Sequence, residues 1–257
     1  MALGPEENKM TNNIKIPEMA VYETDIQTDF SYRTGALFVH ANKPWQMKPY
    51  GAEERLPNII QIHNSAVDKE IMVLGSVDRH FYEDAELIRN KQGVFNDHCM
   101  NGTAGQLRIS ELEPQKDIYV RAKDGPLLSV RTYNQKELEN FLNSGTQVIF
   151  EKQSYDVSTN PNFKPAFQLA VKNGLKKIIN CGFATDYCVL AAVLRQLEFG
   201  REINPAFEVY VVTDAIEEVN IDFEGKIDPE FGKKALEKMV SSGAKLVTAK
   251  DVLENKI

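Results

Sequence analysis

The stretch KKIINCGFATDYCVLAAVL, Lys176–Leu194, decides how the chain is read. A short apolar run breaks at Gly182, two polar residues follow, and a dense apolar segment begins around a cysteine. The run is too short for a buried helix and has the β-branched content of a strand buried on both faces. The segment from Asp186 to Phe199 is long enough for a helix. One strand feeding one helix through a glycine is the unit of a parallel α/β sheet.

The same unit recurs outward in both directions. Strands are expected at Glu18–Asp25, Glu70–Asp78, Thr146–Lys152, Lys176–Gly182, Glu208–Ala215 and Ala244–Ala249. Helices are expected near Ile59–Lys69, Gln135–Asn143, Pro165–Asn173, Asp186–Phe199 and Pro229–Ser242, with Gly174 as a C-terminal cap. This alternation predicts an α/β fold of three layers, α-β-α, around a mostly parallel central sheet. Residues 1–17 read as a loose polar lead-in and 18–257 as a single domain. The segment Asp117–Tyr133 reads as an inserted hairpin around a Lys-Asp-Gly-Pro turn.

Composition narrows the function. The 257 residues carry a net charge of −7 and no basic run, which argues against nucleic acid as a partner. No apolar run approaches the ~18 residues of a membrane span, and no signal-peptide pattern opens the sequence. Three unevenly spaced cysteines do not make a disulfide framework, so a reducing cytoplasm is the expected compartment.

In a parallel sheet, ligands bind beyond the C-terminal ends of the strands. That rim collects Asp25, then Asp78 with His80, then Lys152, then Gly182 and Cys188. With Thr185 or Asp186 as N-cap, Cys188 falls in the first turn of its helix. There the dipole and free N–H groups would lower a thiol pKa and hold an oxyanion. The competing reading is an inert buried cysteine, which is the reading for Cys181; Cys99 follows His98 in a loop. A nucleophilic thiol needs a base and an orienting charge, and Asp25 and Lys152 are the groups at hand. Taken singly, Asp25 reads more readily as a turn or cap residue and Lys152 as a surface charge. In VDRH, Asp78 and His80 alternate to one side, and His98 follows eighteen residues after His80. Asp, His and His form a mixed oxygen and nitrogen set suited to zinc or a similar divalent ion. Asp84 or Glu86 is placed to add a ligand, directly or through water.

In order, DIQTDF, SVDRH, DHCMNGTAG, VIFEK, GFATDYCV, VVTDA and GAKLVTAKDVL resemble the isochorismatase-like cysteine hydrolases, specifically the nicotinamidase branch, over residues 18 to 253. The resemblance implies a catalytic triad of Cys188, Asp25 and Lys152, and a metal on Asp78, His80 and His98. That metal is zinc, with manganese or iron as alternatives. It also implies a cis peptide before Ala184 and an oxyanion hole from the N–H groups of Ala184 and Cys188. In the nicotinamidase branch the metal holds the pyridine nitrogen, and branches acting on isochorismate or carbamoyl amines generally lack the metal set. The implied reaction is hydrolysis of nicotinamide, or a close aromatic amide, to the acid and ammonia through a Cys thioester, with a place in NAD metabolism. Phe30 and Phe95 are candidates to flank the ring, with ordinary core packing as the alternative. The expected partner is a small-molecule amide, and a homo-oligomer is the expected assembly.

Several positions depart from the family pattern. Arg79 and Phe81 flank His80 where Trp and Pro are usual, and Phe95–Asn96 replaces a Trp-Pro pair. Gln153 stands where Gly follows the Lys, and NPNFKPAF replaces Asp-Ser-Tyr-Ser-Ala-Phe. These changes are expected around the substrate pocket, where they bear on substrate identity. Two other readings remain open: the same triad on an aliphatic or carbamoyl amide, or a non-catalytic, redox-sensing protein with Cys188 as its thiol.

Overall fold

The computed structural model describes residues 16–43, 51–91, 93–112, 117–123, 130–144 and 147–257. Residues 1–15 of the expected lead-in lie outside the described residues; Ile16 is buried in the core.

Seven strands form one sheet. They are β1 (Met19–Thr24), β2 (Met72–Asp78), β3 (Ile118–Val120), β4 (Val148–Lys152), β5 (Lys177–Phe183), β6 (Glu208–Glu217) and β7 (Lys245–Val247). Their order is β3-β4-β2-β1-β5-β6-β7, and every pairing is parallel. Among the described residues, seven α-helices accompany them: α1 (Thr28–Ser31), α2 (Ala52–Asp68), α3 (Gln135–Leu142), α4 (Phe163–Lys172), α5 (Leu190–Ile203), α6 (Phe231–Ser241) and α7 (Ala249–Leu253).

Strand alternation sorts the core into two halves. Ala20, Tyr22, Leu74, Phe150, Ile178 and Val209 face one side and pack with Phe163, Phe167, Val193 and Met239 of α4, α5 and α6. Val21, Val73, Ile179, Cys181, Tyr210 and Val212 face the other and pack with Leu56, Ile59, Ile62 and Ala66 of α2. Both faces are therefore covered, which is why these strands read as continuous apolar runs. The three-layer α/β fold is the one expected from the sequence.

Several boundaries differ from expectation. Helix α2 starts at Ala52, ahead of Pro57, because the Glu54 carboxylate accepts the Gly51 N–H at 2.7 Å and fixes the first turn. Within the expected hairpin at 117–133, Ile118–Val120 joins the central sheet beside β4. An antiparallel bridge links Lys123 to Val130, and 124–129 lie outside the described residues. Thr146, at the start of the expected third strand, lies outside them as well. No helix among the described residues is long and apolar enough to cross a membrane.

Candidate active site

The connections from β1 step outward to β2 and β4, whereas β5 and β6 lie on the other side of β1. The direction of winding therefore reverses between β1 and β5, and a ligand site is expected beyond the strand ends there. The candidate residues sit at that point.

Asp25 follows β1 with φ of 50°, a left-handed turn that Asp tolerates better than most residues. Its Oδ1 accepts the Ser76 hydroxyl at 2.7 Å, which aims the carboxylate across the strand ends. Asp78 ends β2 and is the register partner of Lys152 at the end of β4. Gln27 holds the Asp78 backbone from both sides, donating to its carbonyl at 2.8 Å and accepting its N–H at 2.7 Å. The fully buried Lys152 ammonium lies 2.8 Å from Asp25 Oδ2, pairs with Asp78 Oδ1, and is 3.6 Å from Cys188 Sγ. Sequence positions 25, 78, 152 and 188 thus meet in one cluster.

Strand β5 delivers the thiol. Gly182 has φ of +116°, and a Cβ there would stand 2.0 Å from the Thr24 carbonyl oxygen, so only glycine lets β5 approach β1 this closely. The Phe183–Ala184 peptide is cis, as the resemblance implies. Thr185–Val189 then forms a π turn whose Ala184 carbonyl accepts the Val189 N–H at 3.0 Å, and α5 continues from Leu190. The N-cap is Ala184, without a side-chain cap, instead of Thr185 or Asp186. Asp186 is buried and faces the segment after β6, where its carboxylate accepts the Asn220 N–H at 2.7 Å and the Val219 N–H at 3.1 Å.

The electrostatics also differ from a simple helix-terminus picture. Burial pushes the Cys188 thiol well above its ordinary value, and Lys152 opposes that shift. Desolvation outweighs the local positive ends, so the resting group is a thiol that needs a base beside it. Burial likewise raises Asp25, against the pull of Lys152. Burial opposes the Lys152 ammonium, yet Asp25 and Asp78 hold its pKa well above the usual value.

Next to this cluster, Asp78, His80, Glu86 and His98 place ligand atoms within 4.8 Å of one another. The ring nitrogens remote from the cluster are engaged. His80 Nδ1 meets Asp84 Oδ2 at 3.2 Å, and His98 Nδ1 donates to the Asn96 carbonyl at 2.6 Å. Each imidazole therefore presents Nε2 inward, and His80 Nε2 is buried with no hydrogen-bond partner. An orphaned imidazole nitrogen facing a carboxylate and a second imidazole, each ring held from behind, fits a divalent metal ion. Burial and the neighbouring His80 push His98 down to about 4, which keeps it a neutral ligand. Asp84 and Glu86 separate in role. Asp84 holds His80 from behind, whereas Glu86 joins the ligand group, and burial with Asp78 pushes its carboxyl up to about 7.

A narrow cleft opens onto Cys188, Asp78 and His98. Phe30 and Phe95 both line it, with ring centroids 5.3 and 6.4 Å from that of His98. Tyr187, beside Cys188 in its turn, also lines it, as do Tyr155 and Val219, which carried no signal in the sequence because loops bring them in. The departures from the family pattern do not all fall on this pocket. Arg79 alternates away from Asp78 and His80, pairing with Glu151 at 3.0 Å and with Asn101 at 2.8 Å. Asn160 donates to the Val120 and Glu151 carbonyls at 2.8 Å each and ties β3 to β4. Those two positions are structural.

Comparison with known proteins agrees with this architecture. The Isochorismatase domain family model matches residues 132–251. A pyrazinamidase of Pyrococcus horikoshii, solved in complex with zinc, is 24% identical with a TM-score of 0.59, over 90% of this chain and 99% of that one. An Acinetobacter baumanii nicotinamidase/pyrazinamidase is 18% identical with a TM-score of 0.61, over 91% and 98%. An N-carbamoylsarcosine amidase from Thermoplasma acidophilum is 18% identical with a TM-score of 0.57, over 91% and 97%. Comparison with curated proteins gives no match. The chain thus carries a match to the Isochorismatase domain over residues 132–251 and shares its fold with these solved amidases over about nine-tenths of its length.

Proposed function

We propose that the chain hydrolyses nicotinamide, or a close aromatic amide, to the carboxylic acid and ammonia through a thioester on Cys188. The observation that carries this reading is the meeting of Cys188, Lys152 and Asp25 at the cleft floor, beside the group of Asp78, His80, Glu86 and His98.

Asp25 takes the thiol proton as Cys188 Sγ attacks the amide carbon. Lys152 offsets the negative charge that moves between sulfur and carboxylate, and it stays protonated throughout. The oxyanion is received by the backbone N–H groups of Ala184 and Cys188. The tetrahedral intermediate collapses, and Asp25 returns its proton to the leaving nitrogen, which departs as ammonia. Asp25 then takes a proton from water as it attacks the thioester, and the thiol regains it as the acid leaves. Phe30 and Phe95 flank the ring. Asp78, His80, His98 and Glu86 would hold a divalent ion, zinc before manganese or iron, and the ion would supply a Lewis-acidic anchor for a ring nitrogen.

The test is ammonia release from nicotinamide by wild type and Cys188→Ala, with metal content measured on the same samples. Turnover lost in the variant, with about one metal per chain in both, supports the reading. A metal-bearing wild type that turns over only aliphatic or carbamoyl amides reassigns the substrate. Thiol oxidation with no turnover of any amide would favour the redox-sensing alternative.

A further inference from the structure

The cleft over Cys188 does not end at the substrate ring. A second chamber of about 250 Å³ adjoins it, and the two share Glu86, Phe95, Tyr155 and Tyr187 as common wall. The outer chamber adds Val94, Gln153 and Phe223.

Its apolar wall is continuous and ordered by ring contacts. Phe95 meets Tyr187 at 5.1 Å, Tyr187 meets Phe223 at 5.2 Å, and Tyr155 meets Phe223 at 5.8 Å. Phe223 is nevertheless 59% exposed and Tyr155 37% exposed. Exposed aromatic surface of this kind costs hydration free energy unless something covers it.

The exposure of Phe223 is built into the backbone. The Asp222 carboxylate accepts the Glu224 N–H at 2.9 Å and the Lys226 N–H at 2.8 Å, closing a tight turn. Asp222 N–H donates to the Lys226 carbonyl at 2.8 Å, and Ile221 bridges Ile227. Tyr187 Oη donates to the Ile221 carbonyl at 2.7 Å and ties this turn to the Cys188 helix start. Across the chamber, Gly93 sits where a Cβ would overlap the Glu86 carbonyl, and Leu87 bridges Phe95, so the opposite wall is equally fixed. Rigid walls on both sides favour binding, because little ordering remains to be done when a ligand enters.

Among the described residues lining the outer chamber, Glu86 is the one charged group, and no cation accompanies it. That lining offers no counter-charge to an anionic substituent and suits an uncharged one.

We propose that the outer chamber is a substrate subsite, and that the preferred amide carries an uncharged aromatic or alkyl substituent reaching from the ring past Tyr155 and Tyr187 onto Phe223. This deepens the amidase reading and rests on it for the reaction. Phe223 is the specificity-determining residue.

The probes are nicotinamides phenyl-substituted at each open ring carbon in turn, each with a carboxyphenyl counterpart. Binding is measured by calorimetry on Cys188→Ala, which does not turn over, with and without Phe223→Ala. Ammonia release is measured on wild type, Phe223→Ala and Phe223→Trp. The expected result is one phenyl isomer that wild type prefers to nicotinamide, with Phe223→Ala weakening its binding and kcat/KM by about five- to tenfold. Phe223→Trp restores that preference, nicotinamide turnover stays within about twofold, and the carboxyphenyl counterpart is disfavoured. The proposal is overturned if no phenyl isomer binds more tightly than nicotinamide, or if Phe223→Ala affects both ligands equally. Binding of a phenyl isomer with no ammonia from any amide would keep the subsite and remove the reaction.

Discussion

Asp78 and Lys152 are register partners on the adjacent parallel strands β2 and β4, and their side chains form a buried ion pair that also reaches Asp25. One ammonium therefore joins the proposed nucleophile cluster to the proposed metal-ligand group. Its removal leaves two buried carboxylates without their counter-charge. Lys152→Met is expected to lower stability by about 3–5 kcal/mol in urea unfolding, the cost of breaking a buried pair from one side. Amide turnover is expected to fall by about a thousandfold. A variant that keeps full stability would show that the two carboxylates are not held by Lys152.

The Asp84 carboxylate braces His80 from behind and also accepts the Phe81 N–H at 2.9 Å. Asp84→Asn keeps the size of the side chain and weakens the orientation of the imidazole. Divalent-metal affinity, read by chelator competition, is expected to fall about 10- to 100-fold. Replacing the neighbouring exposed Glu83 by Gln is expected to leave it unchanged.

Gly182→Ala places a methyl group against the Thr24 carbonyl at a positive φ. Both effects act on the same contact between β1 and β5, just before the Cys188 turn. A loss of about 3 kcal/mol or more in unfolding free energy is expected, with weaker activity in whatever folds.

Asp156 connects the segment after β4 to α5 through Arg195 at 2.9 Å, and it caps Ser158 N–H at 2.8 Å. Burial opposes its charge, but the hydrogen bonds from Arg195 and Ser158 hold its carboxyl below the usual range. The folded pKa is thus lower than the unfolded value of about 3.9, so the stabilisation is complete above that pH. It is lost as pH falls through the folded value. Asp156→Asn is expected to cost about 1 kcal/mol at neutral pH, a partly exposed pair being screened by solvent. The gap between variant and wild type should close in urea titrations carried below that folded pKa.

The parts legible in the sequence share one physical feature. Parallel strands end on a common rim, so Asp25, Asp78, Lys152 and Cys188 could be brought together from strand ends alone. The chamber walls could not. Tyr155 and Phe223 arrive on loops whose approach depends on contacts between distant segments, and nothing local marks them; Tyr187 lies beside Cys188 in its turn, but nothing in the sequence shows that its ring faces the chamber. That strand β3, only three residues long, also pairs with β4 was not legible, because that pairing is set by the sheet and not by its own turn. The helix-start reading of Cys188 expected a lowered thiol pKa; burial, invisible in sequence, reverses the direction. Asp186 looked like a cap, yet its carboxylate turns to the backbone at 219–220 because that segment folds over the helix start.

The measurement closest to the central claim is intact-protein mass spectrometry on enzyme quenched in acid during turnover of nicotinamide. A nicotinoyl adduct on wild type, mapped to Cys188 and missing from Cys188→Ala, is the predicted result. Steady ammonia release with no adduct on Cys188 under any quench would contradict a thioester at this residue.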